Sequence, residues 1–169
     1  MPSNRRLSAL PDNYMPEQEL KTKDEVRAFL KENFVMSLAT VADNKPAVAP
    51  LIYVIDDELN FYFVTYRHTL KAQNLVMNPQ CAVTVWEFLK MSVQATGEAS
   101  IVEDEAKKEW VINAFADAAT KDPNFWAPIF RIKRGDYCVF KITPNWLRVL
   151  DLTHNTVRQE ESPYTEIKL

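Results

Sequence analysis

The stretch Leu59-Asn60-Phe61-Tyr62-Phe63-Val64-Thr65-Tyr66-Arg67-His68-Thr69-Leu70-Lys71 falls into two halves. Leu59 to Thr65 is short, aromatic and preceded by the acidic turn Asp56-Asp57-Glu58, the composition of a strand. The chain then enters a helix at Thr69 that runs to Met77. It stops at Asn78-Pro79, because a proline drives the residue before it out of the helical region. Reading backwards, Ala47 to Ile55 and Phe34 to Val41 are two more apolar strands, split by Asp43-Asn44-Lys45, whose Asn tolerates positive φ. Three strands joined by turns this short make an antiparallel meander.

Further out, Thr22-Lys23-Asp24-Glu25 is a capping box, with a hydroxyl at the N-cap and Glu three residues on. It opens a helix whose apolar face is Val26, Phe29 and Leu30. Downstream, Cys81 to Leu89 and Met91 to Val102 read as strands, the second bent or bulged at Gly97. Asp104 to Ala118 is an amphipathic helix. Pro123 and Pro128 bracket a loop holding Phe125 and Trp126. Tyr137 to Thr143 and Trp146 to Leu152 are the last strands, separated at Pro144. The expected architecture is mainly β: a six- to seven-stranded antiparallel barrel, closed or nearly so, with flanking helices as plugs. Residues 1–21 form an irregular arm, 22–152 the domain, and 153–169 a polar tail. Trp86, Trp146 and Tyr62 read as core.

The segment Thr65 to Lys71 also breaks a local rule. A helix N-terminus carries roughly half a positive charge, so cations there cost about 0.3–1 kcal/mol each. Arg67 and Lys71 nevertheless flank it, with the hydroxyls of Thr65 and Thr69 between. Free amides, hydroxyls and cations together suit a phosphate. The alternative is that both cations point to solvent and Thr69 is an ordinary cap. Pro50, inside an apolar strand, lacks a ladder donor and belongs on an edge or where the sheet opens, a place a flat ligand could lie.

Composition removes other chemistries. The chain has 169 residues, enough for one domain that buries roughly 70% of its unfolded surface. It has only two glycines, Gly97 and Gly135, so no glycine-rich phosphate loop, dinucleotide fingerprint or nucleophile elbow can be written. A formal net charge of −3 gives no basic face for nucleic acid. His68 and His154 are far apart in sequence and near no cysteine, against a zinc site. Cys81 and Cys138 lie in apolar runs and read as buried free thiols in a reducing compartment. With no leader-like or membrane-spanning apolar run, the expected location is the cytoplasm.

Phe61-Tyr62-Phe63-Val64-Thr65, then Thr69-Leu70-Lys71-Ala72-Gln73-Asn74-Leu75, then Asn78-Pro79, resembles the pyridoxamine 5'-phosphate oxidase-like family. There, a strand ending in Thr is followed by Ser/Thr-x-Lys-x-x-Asn-Leu and an Asn-Pro. The hairpin Pro46 to Ile55 and the run Gly97-Glu98-Ala99 before a helix fit the same plan, so the likeness covers about Phe34 to Leu152. It implies an FMN-binding split barrel, usually a homodimer with two flavins in its interface, working on a small-molecule substrate or electron donor. By position, Ala49, Pro50, Leu51, Ile52, Tyr53 and Val54 would line the isoalloxazine edge with backbone groups. Val64 and Thr65 would contact the ring and ribityl chain. Thr69 and Lys71 would hold the phosphate, and Ser92 would face flavin from one of the two subunits. The true oxidases carry Arg immediately before the Lys; here that position is Leu70, with Arg67 as a substitute one turn earlier. Their C-terminal Trp and Arg have no counterpart around Leu150. No residue reads as a catalytic acid or base. The alternative function is a non-catalytic holder of flavin, haem or deazaflavin.

Overall fold

The computed structural model describes residues 22–120, 137–151 and 164–169. The arm 1–21, the Pro123–Pro128 loop, His154 and most of the tail lie outside them. Among these residues three helices and eight strands follow in the order α1 (Lys23–Glu32), β1 (Val35–Ala42), β2 (Lys45–Ile52), β3 (Val54–Ile55), β4 (Phe61–Tyr66), α2 (Leu70–Met77), β5 (Gln80–Glu87), β6 (Met91–Ile101), α3 (Glu105–Thr120), β7 (Tyr137–Asp151) and β8 (Tyr164–Glu166). The sheet runs β2-β1-β5-β6-β7-β4-β3, antiparallel throughout, with β8 beside β7. Its two terminal strands, β2 and β3, are consecutive in the chain, so the sheet curls until its ends meet at Tyr53. This is a mainly β, split-barrel fold.

Alternation along the strands builds the interior. Met36 and Leu38, Val83 and Val85, and Val93 and Ala95 are buried while their strand neighbours are more exposed, whereas burial is continuous over Phe61–Phe63 and Cys138–Phe140. Phe63 and Phe140 stack with centroids 5.3 Å apart, a contact worth about 0.5–1.5 kcal/mol beyond burial. The capping box forms as expected: Glu25 N donates to Thr22 Oγ1 at 3.2 Å, and Thr22 N to Glu25 Oε2 at 2.8 Å. The helix it starts buries Val26, Phe29 and Leu30. At its other end the Tyr53 hydroxyl donates into the carbonyls of Leu30 (2.8 Å) and Asn33 (2.6 Å). Asp43 and Asn44 both take positive φ in the β1–β2 turn.

Several strand boundaries differ from expectation. The anticipated Ala47–Ile55 strand breaks at Tyr53, whose buried side chain reaches α1. The aromatic strand begins at Phe61, because Leu59 sits at φ 67° and is fully buried there. Pro144 does not divide the last strands. β7 runs through it, and the irregularity is taken up as a register shift at Thr96/Gly97: Gly97 pairs with Pro144 and Thr96 with Trp146, leaving Asn145 as the extra residue. The irregularity expected at Gly97 is present, but the extra residue sits opposite it on β7. A Cβ at Gly97 would lie 2.4 Å from the Thr143 carbonyl oxygen. The tail contains a strand, β8, and buries Ile167. Trp86 is not core; it stands 62% exposed on the outer face of β5.

Candidate functional site

β2 pairs only with β1, and β4 with β7 and the two residues of β3. The β3–β4 ladder ends at Val54 opposite Tyr62. Beyond it no ladder joins Ala49–Ile52 to Val64–Thr65, so the barrel is split there, and this seam between two unpaired strand edges is the cleft of the fold. Pro50 therefore lies on an unpaired edge, where its missing N–H costs no ladder bond. Ala49 and Leu51 pair with Leu38 and Met36 and share their inward face, while Pro50 and Ile52 face outward. Tyr53 gives nothing to the cleft: its N–H donates to Phe34 O at 3.1 Å, and its hydroxyl is spent on α1. Burial raises its pKa above the ordinary tyrosine value.

Thr65 is the last residue but one of β4, and α2 starts five residues later, at Leu70. Thr69 is the N-cap, yet its side chain makes no capping bond. Its Oγ1 instead donates to Tyr66 O at 2.9 Å and lies 3.1 Å from Thr65 Oγ1, so Thr65 is the donor of that pair. Both hydroxyl protons are engaged within the turn. The N–H groups of Leu70, Lys71 and Ala72 have no acceptor among the described residues. Lys71 is half-buried, and burial lowers its ammonium pKa. Among the described residues no carboxylate lies within ion-pair distance of it or of the exposed Arg67. Leu70 points to solvent. Free amides at the positive end of a helix beside an unneutralised, partly desolvated cation form an anion site in chemical terms.

Ala49–Ile52 lie on the unpaired edge of β2, Tyr53 and Val54 turn from it into β3, and Val64, Thr65, Thr69 and Lys71 follow from the end of β4 into α2, while Ser92 lies apart. Ser92 lies on the outer face of β6, with β5 and β1 between it and β2. Within one chain it does not reach the cleft. Its row continues to Trp86 on β5, Leu150 on β7 and Tyr164 on β8. Beside it stands a cluster the sequence reading passed over. Arg148 donates through Nε and Nη2 to Gln94 Oε1, at 3.0 and 2.8 Å, and packs on the rings of Trp146 and Tyr164. The signal was there in the alternation Trp146, Arg148, Leu150, which places all three on one strand face. No group of three or more metal-ligating side chains occurs among the described residues. No helix there is long and apolar enough to cross a membrane. Cys81 and Cys138 are free and buried, as expected.

The family model for pyridoxamine 5'-phosphate oxidase matches residues 22–151. A curated pyridoxine/pyridoxamine 5'-phosphate oxidase from Haemophilus ducreyi (strain 35000HP / ATCC 700724) is 28% identical over 99 residues, 58% of this chain and 47% of that one. The chain thus spans about half the length of the curated relatives it matches. Among solved structures, general stress protein 26 from Bacillus anthracis str. Sterne aligns with TM-score 0.60 at 22% identity, covering 75% of this chain and 92% of that one. An FAD-binding protein from Mesorhizobium loti aligns with TM-score 0.61 at 20% identity, covering 76% and 94%. With the motif at Thr69–Pro79, the split barrel and a family match over most of its length, this chain belongs to the pyridoxamine 5'-phosphate oxidase family.

Proposed function

We propose that the protein is an FMN-dependent oxidoreductase that works as a homodimer in a reducing cytoplasm. One observation carries the reading: an unpaired strand edge leads straight to a helix start where, among the described residues, three N–H groups have no acceptor and no carboxylate pairs with Lys71. The phosphate of FMN would take those amides and the Lys71 ammonium, with Arg67 adding charge from solvent. Thr69 would serve by turning its hydroxyl from Tyr66 O toward the anion. Backbone groups of Ala49 to Val54, with Val64 and Thr65, would flank the ring and ribityl chain. Ser92 would meet the flavin from the other subunit, since its own barrel holds it away. When bound, the flavin supplies the redox chemistry; the protein supplies binding, orientation and electrostatics.

The absorption spectrum of the purified or FMN-reconstituted protein tests this. Flavin bands that NADH or NADPH bleaches without oxygen are the expected result. A haem Soret band, or no chromophore after reconstitution, overturns it. A second reading, a cofactor holder without turnover, draws on one feature: none of Ala49 to Val54, Val64 and Thr65 offers an acid or base near neutral pH. Its signature is bound flavin that neither nicotinamide reduces and that, once chemically reduced, reacts slowly with oxygen.

A further inference from the structure

Arg148 lies on the outer face of β7, and its guanidinium is fixed before any ligand arrives. Nε and Nη2 grip Gln94 Oε1. The Tyr164 ring centroid is 4.0 Å from Cζ and that of Trp146 5.1 Å, distances that make cation–π contacts. What remains is the other edge of the fork, Nη1 with the second N–H of Nη2, which no described residue accepts from. Among the described residues no carboxylate lies within ion-pair distance of it either. Glu166 stands opposite Arg148 in the β7–β8 register, where a cross-strand ion pair would be ordinary. Its carboxylate is instead taken by Trp146 Nε1 at 3.0 Å. A neutral amide holds the arginine where an acid could have held it, which preserves its full charge while setting its direction.

Two parallel N–H donors on a planar cation match the two oxygens of a carboxylate. Gln94 is two residues along β6 from Ser92 on the same face, about 7 Å at the usual strand rise. On the reading above that Ser92 faces flavin from the other subunit, the open edge of Arg148 borders the same site. We propose that Arg148 recognises the carboxylate of the small molecule that exchanges electrons with the flavin, and that Gln94 is its positioning residue.

Benzoate and inorganic phosphate, titrated into the FMN-loaded protein, test the proposal by two readouts: the flavin difference spectrum and calorimetric heat. Benzoate should perturb the flavin bands saturably and outcompete phosphate. Arg148→Lys, which keeps the charge but loses the fork, should bind benzoate about tenfold more weakly, and Arg148→Ala should not bind it. Gln94→Glu keeps the size of the side chain but neutralises the fork; it should also lose benzoate while retaining the thermal midpoint of the wild type. Unchanged benzoate affinity in Arg148→Ala or Gln94→Glu overturns the proposal. Preference for phosphate overturns the carboxylate assignment. Calorimetry separates the two readings. Arg148-dependent benzoate heat in a protein that takes up no FMN supports the fork and sinks the flavin reading, and flavin bands without benzoate heat do the reverse.

Discussion

Lys71 is the residue whose charge has most to explain. Burial holds its folded pKa below the ordinary lysine value, so the unfolded chain binds that proton more tightly. The sign follows: the stability of the apo protein rises as pH climbs from the lowered value toward the ordinary one, and at neutral pH the buried cation is a cost. Lys71→Met removes that cost, and the apo variant should melt higher than wild type at pH 7. In the holo protein the same change deletes a charge-assisted hydrogen bond worth about 1.5–3 kcal/mol. FMN should then bind roughly tenfold to hundredfold more weakly. Riboflavin, which lacks the phosphate, should bind both proteins alike. Titrating both flavins into both apo proteins decides the matter; equal FMN affinities would remove Lys71 from the site. The cysteines make a complementary case. Burial pushes the Cys81 thiol up to about 11 and raises Cys138 as well, and their Sγ atoms donate to Gly97 O and Thr65 O. A thiolate-specific disulfide probe at pH 8 should therefore label neither thiol until denaturant is added.

At the scale of elements, the β6–β7 ladder turns on a glycine. A Cβ at Gly97 would meet the Thr143 oxygen at 2.4 Å and Pro144 Cα at 3.0 Å, all backbone, so nothing swings aside. Gly97→Ala should lower stability by about 1–3 kcal/mol, read as a lower urea midpoint with unchanged slope. β8 offers the opposite experiment. It covers the edge of β7 past the end of β4, adds the bond Ile167 N to Leu147 O at 3.0 Å, and buries the Ile167 side chain. Truncation after Pro163 should cost about 2 kcal/mol from that burial alone. It should also bare a strand edge prone to association, seen as a lower thermal midpoint and faster aggregation. These two elements mark where sequence was readable and where it was not. Gly97 announced itself because a glycine inside a strand has few other uses, and the capping box at Thr22 because its spacing is local. Pro144 misled because the extra residue beside it, Asn145, becomes a bulge only against a partner strand almost fifty residues earlier. β8 went unseen because three residues carry no period; only the neighbouring edge makes them a strand. Within the site, the turn into α2 showed in local charge, whereas the seam between β2 and β4 is a matter of long-range pairing, with the strand interrupted at Tyr53, whose hydroxyl bonds back to Leu30 O and Asn33 O.

For the whole molecule, the question is what covers the outer wall of the barrel. Val48, Val35 and Trp86 stand 69%, 47% and 62% exposed there, on β2, β1 and β5. They share a surface with Pro50, Ile52, Ala39 and Ala82, whose register places them on that face. Exposed large side chains grouped across three adjacent strands signal an interface more than a solvated wall. A second copy of the chain is the occupant the flavin reading requires, because Ser92 and the β2–β4 cleft lie on different parts of one barrel and can border one ligand only across a two-fold axis. Two quantities should then move together. On dilution below the dimer's dissociation constant, FMN affinity should fall with the sedimenting mass. Trp86→Arg sets a charge into that face beside Ser92 and leaves Lys71, β2 and the core untouched. It should shift the protein to monomer at micromolar concentration, keep the secondary structure and weaken FMN binding by at least about tenfold. The monomeric variant should still bind phosphate at the start of α2, since that site belongs to a single chain. A monomer that holds FMN as tightly as wild type would mean that one barrel suffices, and that Ser92 and Arg148 look out on something other than flavin.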